Sequence, residues 1–427
     1  MTNRLIRKHQ PLALAVALAL GAGSAHAASI TVTDGGDAGT ASTCTLRQAL
    51  VSAVNDDATG STCVAGSGAD TIDFGSNLAG ATITLGGSEL QVQGSAVTIN
   101  GSDQTIDANG ASSVLFAYNA MVEISNLTLT GGNTPYGGGG IASVNSSLTL
   151  TNSTVSGNVA AGRGGGISSY MYTGGSNVAA RGNATFVERT MPTPHEATSG
   201  TQGVPMGSVS LVNSVVSGNT SGARAGGVVC YVASCNIVDS TVSGNQLNAT
   251  GNYGAGGVYL TKYSTGTISG STIVNNSAVG GSNYGYLSGG VYQYGSSLVI
   301  TNTTVAGNTA SGTAFLAGGV SNAYNSNYTG AGYGLVMRNV TLSGNAASGG
   351  SYATGGVLLG AYSSGGADMA NSIISGNTGA TDNNLFAYTG VTTAASSLLG
   401  STLSGAYSGN GNVFNDNPGL GALANNG

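Results

Sequence analysis

The chain has 427 residues, of which 40% are hydrophobic and only 6% charged. That is long enough for a large core and too poor in charge for ordinary charged disorder. A formal net charge of −6 with no basic cluster argues against nucleic acid as a partner.

Residues 1–27 read as a signal peptide. Arg4, Arg7 and Lys8 form a positive start, Leu12 to Leu20 a short apolar run, and Ala25-His26-Ala27 a small-residue cleavage site. The run is too short to span a bilayer, and no later stretch approaches twenty apolar residues, so no transmembrane helix is expected after it. Cleavage would start the mature chain at Ala28, removing three of the 10 basic residues and none of the 16 acidic ones.

Residues 28–115 form an N-terminal cap and first coils. Ser29 to Thr33 reads as a strand. The helix beginning near Cys44 carries Leu46, Ala49, Leu50, Ala53 and Val54 on one stripe. Thr45 and Gln48 have capping-box spacing. A solenoid leaves unpaired strand edges and core at its end, and an amphipathic helix placed just before the repeats would cover them. In an exported chain Cys44 and Cys63 are expected to pair, as are Cys230 and Cys235 across a bend; the four spacings match no zinc pattern. The acid pairs Asp34/Asp37, Asp56/Asp57, Asp70/Asp73 and Asp103/Asp107 are calcium candidates that also suit turns.

Residues 116–427 are repeats. SLTLTNSTVSGN, ending at Asn158, returns in variants ending at Asn219, Asn245, Asn276, Asn308, Asn345 and Asn377, mostly about 26 to 37 residues apart. A second phrase, a glycine pair and a β-branched residue, places Ile141, Ile167, Val228, Val258, Val291, Val320 and Val357 between the copies. Apolar and polar residues alternate in SLTLT, Asn-Ser bends the chain, Thr-Val resumes, and Ser-Gly-Asn turns it again. Three strands and three bends in about 26 residues predict one coil of a right-handed parallel β-helix, its neighbours about 4.8 Å away. The recurrent asparagines would stack as an internal amide ladder. Asn152, Asn213, Asn302, Asn339 and Asn371, with Asp239, would line a second corner.

Asn177 to Met206 breaks the pattern with Pro192, Pro194 and Pro205 and with charge. Proline bars it from a central strand, so 177–206 reads as an irregular insertion. His195 beside Glu196 is the one histidine after the signal peptide, a general-base or metal-ligand candidate or simply part of a solvated loop.

Tyr259, Tyr263, Tyr284, Tyr286, Tyr292 and Tyr294 cluster after the glycine pairs, as do Tyr170, Tyr172, Tyr231 and Tyr253. Tyrosine among Ser, Gly and Asn suits an adaptable binding surface, and also an ordinary exposed strand. Catalysis on polysaccharide needs paired carboxylates, or calcium with an Arg or Lys base. Beyond residue 121 no two acids recur one coil apart, although Asp239, Arg224 and Lys262 fall in adjacent coils.

CTLRQALVSAVNDD followed by GADTIDF resembles the CSLREA-type N-terminal segment of exported bacterial β-helix proteins. Cys44, Leu46, Arg47 and Ala49 match its Cys-x-Leu-Arg-Glu-Ala, with Gln48 for Glu, and Gly68 to Ile72 match Gly-Ala-Asp-Thr-Ile. NPGLGALANNG is similar to the start of those proteins' C-terminal segment, so a truncated or diverged end is expected at Gly427. The repeats are also similar to polymorphic outer-membrane protein repeats, with Val, Leu or Ile where that family has Phe. The resemblance implies export from a Gram-negative bacterium to the cell surface or medium. With the tyrosines it points to a monomeric, non-catalytic scaffold for adhesion or for extracellular glycan or neighbouring-cell contact. The alternative is a β-helix polysaccharide lyase or glycoside hydrolase.

Overall fold

A computed structural model describes residues 27–58, 60–171, 207–261, 263–281, 285–313, 315–323, 334–360, 366–400 and 403–421. Residues 1–26 of the expected signal peptide, the expected insertion 177–206 with His195 and Glu196, and Tyr172, Lys262 and Tyr284 lie outside them.

Strands make nearly all the regular structure, and each pairs in parallel with a strand of the next coil, giving a parallel β-helix. Each column contributes stacked apolar residues. The long strands align Leu150, Leu211, Ile237, Ile268, Ile300, Met337 and Met369. The short strands after the first bend align Val155, Val216, Val242, Ile273, Val305, Leu342 and Ile374. Glycine-pair strands align Ile141, Ile167, Val228, Val258, Val291, Val320 and Val357. All three rows point into one continuous buried cluster. Each such side chain contributes about 1.5–3 kcal/mol of transfer free energy, but only once a neighbouring coil covers it.

The amide column is continuous from Asn158 to Asn377. Asn158, Asn219, Asn245, Asn276, Asn308 and Asn345 each donate from Nδ2 to the next Oδ1 at 2.9–3.0 Å. Each Oδ1 from Asn219 onward also accepts the preceding asparagine's backbone N–H. The second Nδ2 hydrogen goes to a carbonyl one coil back, such as Val242 O from Asn276 at 2.9 Å. Both donors of each of these amides are used, and both acceptor sites of each Oδ1 from Asn219 to Asn377, so these side chains have no capacity left for a ligand. The column continues through two residues with no Ser-Gly-Asn signature: Asn377 donates to Asn384, and Asn384 to Asp416, each at 3.2 Å.

The glycine pair is explained by the same corner. A Cβ on Gly256 would fall 2.5 Å from Ser277 N and from Gly289 O, and one on Gly257 would lie 3.2 Å from Asn276 Nδ2. Backbone passes directly over backbone here, and only glycine permits the approach.

One expectation is corrected. The coil is not built of three strands: the interval from Asn219 to Asn245 holds four, Thr220–Ala225, Val228–Tyr231, Ala233–Val238 and Thr241–Ser243. The interval from Asn245 to Asn276 holds five, adding Tyr253–Ala255 before the glycine pair. The stretch after each Asn is an additional strand, held by parallel pairing and by one buried side chain, Leu247, Ala278, Ala310 or Ala347. Asn152, Asn213, Asp239, Asn302, Asn339 and Asn371 do line a second corner, but on its outer side. All have positive φ, 47° to 55°, and Asn152, Asn213, Asn302 and Asn339 sit on the outside, where they bond in pairs at 2.7 and 2.9 Å. The residue that turns inward is the next one, Ser153, Ser214, Ser240, Thr303 or Ser372, with Val340 after Asn339 and Ser271 after Gly270 in the same role. The Ser and Thr hydroxyls bond the carbonyl two residues back and accept an N–H from the preceding coil, as Ser240 Oγ does from Ser214 N at 3.0 Å.

The helix α1, Leu46–Asn55, closes the N-terminal end. Thr45 and Gln48 form the reciprocal capping box, and Asp56 ends the helix in the left-handed region with φ 53°. Leu46, Ala49, Leu50 and Ala53 are buried on strands Ser29–Val32, Ala69–Phe74 and Leu90–Gln93. The Cys44–Cys63 disulfide ties the helix start to the loop that follows it, and Cys230–Cys235 closes a bend at Val232. Among the described residues no helix is long and apolar enough to cross a membrane.

Candidate binding surface

Alternation along the glycine-pair strands sends every second side chain outward. In the later coils those outward residues are covered. Tyr259 and Tyr292 stack at 5.2 Å, and the extra strand lays Tyr253, Tyr286, Phe315 and Tyr352 alongside them in register. Ring centroids along that row lie 6.3, 4.7 and 5.1 Å apart, and Phe386 extends it at 5.2 Å. With Ala225, Val229, Ala255, Ala317 and Leu358 they form a second core outside the tube.

The tyrosine surface expected from composition is therefore corrected in most of its members. Tyr259, Tyr286 and Tyr292 are buried, Tyr292 completely, and Tyr294 is half-buried. Of the five that lie among the described residues, only Tyr263, 38% exposed, stands outward as expected; Tyr388, not singled out before, is 47% exposed at the end of the row. Burial pushes the Tyr292 phenol well above its usual range, and the adjacent tyrosines push the same way. Burial also raises Tyr259, partly offset by Arg224, whose guanidinium stands over the ring at 5.8 Å. Arg163 stands likewise over Tyr231 at 5.3 Å. The strand period put these rings on the outer face; the layer that covers them comes from another segment and leaves no trace in the alternation.

The charged candidates are dispersed. Asp37 pairs with Arg47 at 2.8 Å, Asp34 accepts Gly36 N within its own turn, and Asp107 accepts Asn109 N. Asp56 accepts Gly68 N, and Asp73 holds Ser29 and Asn100. Asp70, buried in the Gly-Ala-Asp-Thr-Ile motif, accepts Ala28 N at 2.8 Å and Ser67 N at 2.9 Å, so it fastens the start of the first strand. Arg224 donates to Tyr253 O at 3.4 Å and faces Tyr259. Arg338 and Asp368 form a surface ion pair one coil apart, with Thr393 donating to the same carboxylate; the Arg338 bond first of all holds Asp368 below its usual range. Among the described residues no three His, Cys, Asp or Glu side chains converge on a point that would hold a metal ion.

A concavity among the described residues lies elsewhere, where α1 meets the flank of the first coils. It is a half-open cleft of about 480 Å³, walled by α1, the 87–91 turn, residues 111–113 and residues 133–136. Apart from Arg47 and Leu50 on α1, sequence reading did not single out these residues, because four segments far apart in the chain build it. No protein-family model, curated protein or solved structure matches this chain.

Proposed function

We propose that this chain is an exported, non-catalytic scaffold, at the cell surface or in the medium of a Gram-negative bacterium, that contacts extracellular glycan or a neighbouring cell. The observation that carries the reading is the outer face itself. Outward positions of the long strands run Thr149, Ser210, Asn236, Thr267, Val299, Val336, Asp368 and Thr393 at one-coil intervals, a long, mostly uncharged polar strip. Such a strip suits many weak hydrogen bonds to a polyhydroxylated partner along its length. Export is supported by the two disulfides, which persist in oxidising compartments, and by the charged, apolar and small-residue order of residues 1–27.

The test is a glycan array and a cell-adhesion assay with purified residues 28–427. Retention of the protein on one class of glycan or cell supports the reading, and blank results in both contradict it. Unsaturated or new reducing-end products released from acidic polysaccharides would replace it with a lyase or hydrolase.

A further inference from the structure

We infer that the cleft between α1 and the first coils is a binding site for one or two rings of a neutral sugar. The inference rests on the glycan-contact reading and gives it a location and a chemistry.

Size comes first: about 480 Å³ falls within the range of small-molecule sites, which spans about 300–1,000 Å³. The walls are amphipathic in the way a pyranose is. Val51, 50% exposed, and half-buried Tyr136 supply an apolar side, and a tyrosine ring offers a face against which the C–H surface of a sugar packs. Gln91 and Asn133 supply amides able to donate and accept. Two buried groups line the same space. Glu89, 8% exposed, puts a carboxylate into that wall. Ser113 is 1% exposed, and its Oγ has no hydrogen-bond partner among the described residues.

Charge decides between sugar classes. Arg47 lines the cleft, yet four of its five N–H donors are engaged: Nε and Nη2 on Asp37, Nη2 also on Ser88 O, and Nη1 on Glu89 O, at 2.7–3.1 Å. Its charge is already met by Asp37. A uronate carboxylate would find no open guanidinium edge and would face Glu89. A neutral ring meets neither obstacle.

The experiment is saturation-transfer NMR and calorimetric titration of purified residues 28–427. The probes are glucose, galactose, mannose, N-acetylglucosamine, cellobiose and maltose, with galacturonate as the acidic member. Tyr136→Ala and Val51→Arg test the cleft, and Tyr388→Ala is the control on the distant aromatic row. Both cleft substitutions lie at accessible positions, where folding is little affected; circular dichroism melts confirm it. The expected result is binding of at least one neutral sugar over galacturonate, weakened about tenfold or more by either cleft variant and unchanged by the control. Neutral-sugar binding that survives both cleft variants, or is lost in Tyr388→Ala alone, overturns the cleft assignment and leaves the glycan reading standing. Preference for galacturonate overturns the charge argument and with it the inference. No binding by any probe, with a blank glycan array, overturns both.

Discussion

The coil between Asn219 and Asn245 and the three between Asn245 and Asn345 share one interior and differ outside it. The first closes in 26 residues and the others in 31, 32 and 37. The additional length opens a turn at 250–252 within what is one strand of the shorter coil, since Thr220–Ala225 pairs first with Gln246–Ala249 and then with Tyr253–Ala255. The segment beyond that turn, Tyr253–Ala255, Tyr286–Ser288 or Phe315–Ala317, is laid against the outer face of the tube. In the earlier coils the corresponding outer cluster is small, Phe116, Ala142 and Val144 with Tyr118 and Tyr170 beside it. In the later ones it is a second aromatic core. A solenoid thus extends lengthwise by repeating a coil and thickens sideways by lengthening it, and only the lengthening is free to vary in composition.

The largest break in that comparison should come from the part the coils share. Asn276→Leu leaves the buried backbone N–H of Asn245 without its acceptor and takes one of two bonds each from Asn245 Nδ2 and Asn308 Oδ1, together with the side-chain bond to the Val242 carbonyl. At about 1–3 kcal/mol for each unmade buried bond, a loss of about 3 kcal/mol or more is expected, visible as faster hydrogen exchange across the adjacent coils. The same change at Asn152, on the outer corner, should cost less in the same measurement, about 1–2 kcal/mol from leucine's strain at positive φ.

Next, Tyr292→Ala removes the centre of the second core and should cost about 3–5 kcal/mol locally, with exchange rising from 253 to 294 and staying unchanged in the early coils. Equal acceleration throughout would show that the outer layer is not a separate unit. The buried phenols give a subtler signature. Tyr292 and Tyr259 have folded pKa values raised above the unfolded value, so their contribution is complete below about pH 10 and is lost as pH climbs beyond it. Alkaline titration should loosen the later coils before the early ones, and Tyr292→Phe should blunt the difference.

The smallest effect belongs to Arg338–Asp368. Asp368 is held below its ordinary range, so the pair contributes above about pH 4 and loses its contribution as pH falls. With the carboxylate 54% exposed, Asp368→Asn should move the melting temperature by no more than a degree or two.

The shared interior was legible in the sequence and the outer layer was not, for a physical reason. Leu150, Val155 and Asn158 report their positions through their own strand or turn, so spacing alone locates them. Tyr259 is outward by the same alternation whether water or another strand lies beyond it, and nothing local distinguishes the two. The post-asparagine strand was missed because one buried side chain per strand, Leu247 or Ala278, makes no period. Ser153 and its counterparts were overlooked beside the conspicuous asparagines, although Asn152 turns outward to let them in. Asn384 and Asp416 join the amide column from a coil whose turn phrase has decayed. The capping box at Thr45 and Gln48 was readable because both partners lie within one turn, whereas the cleft beside it needs four distant segments.

The most direct test of the stacked-coil account is a cross-link between outward neighbours. Thr267 and Val299 are register partners on adjacent long strands, and Val336 is one coil further. Oxidised Thr267→Cys/Val299→Cys should form an intramolecular disulfide in high yield, because adjacent parallel strands bring Cα atoms within the about 4.4–6.8 Å that the bond needs. Thr267→Cys/Val336→Cys, two strand spacings apart, should form none. Equal yields in the two variants, or a bond only in the second, would contradict the stacking register on which the fold, both ladders and the outer core depend.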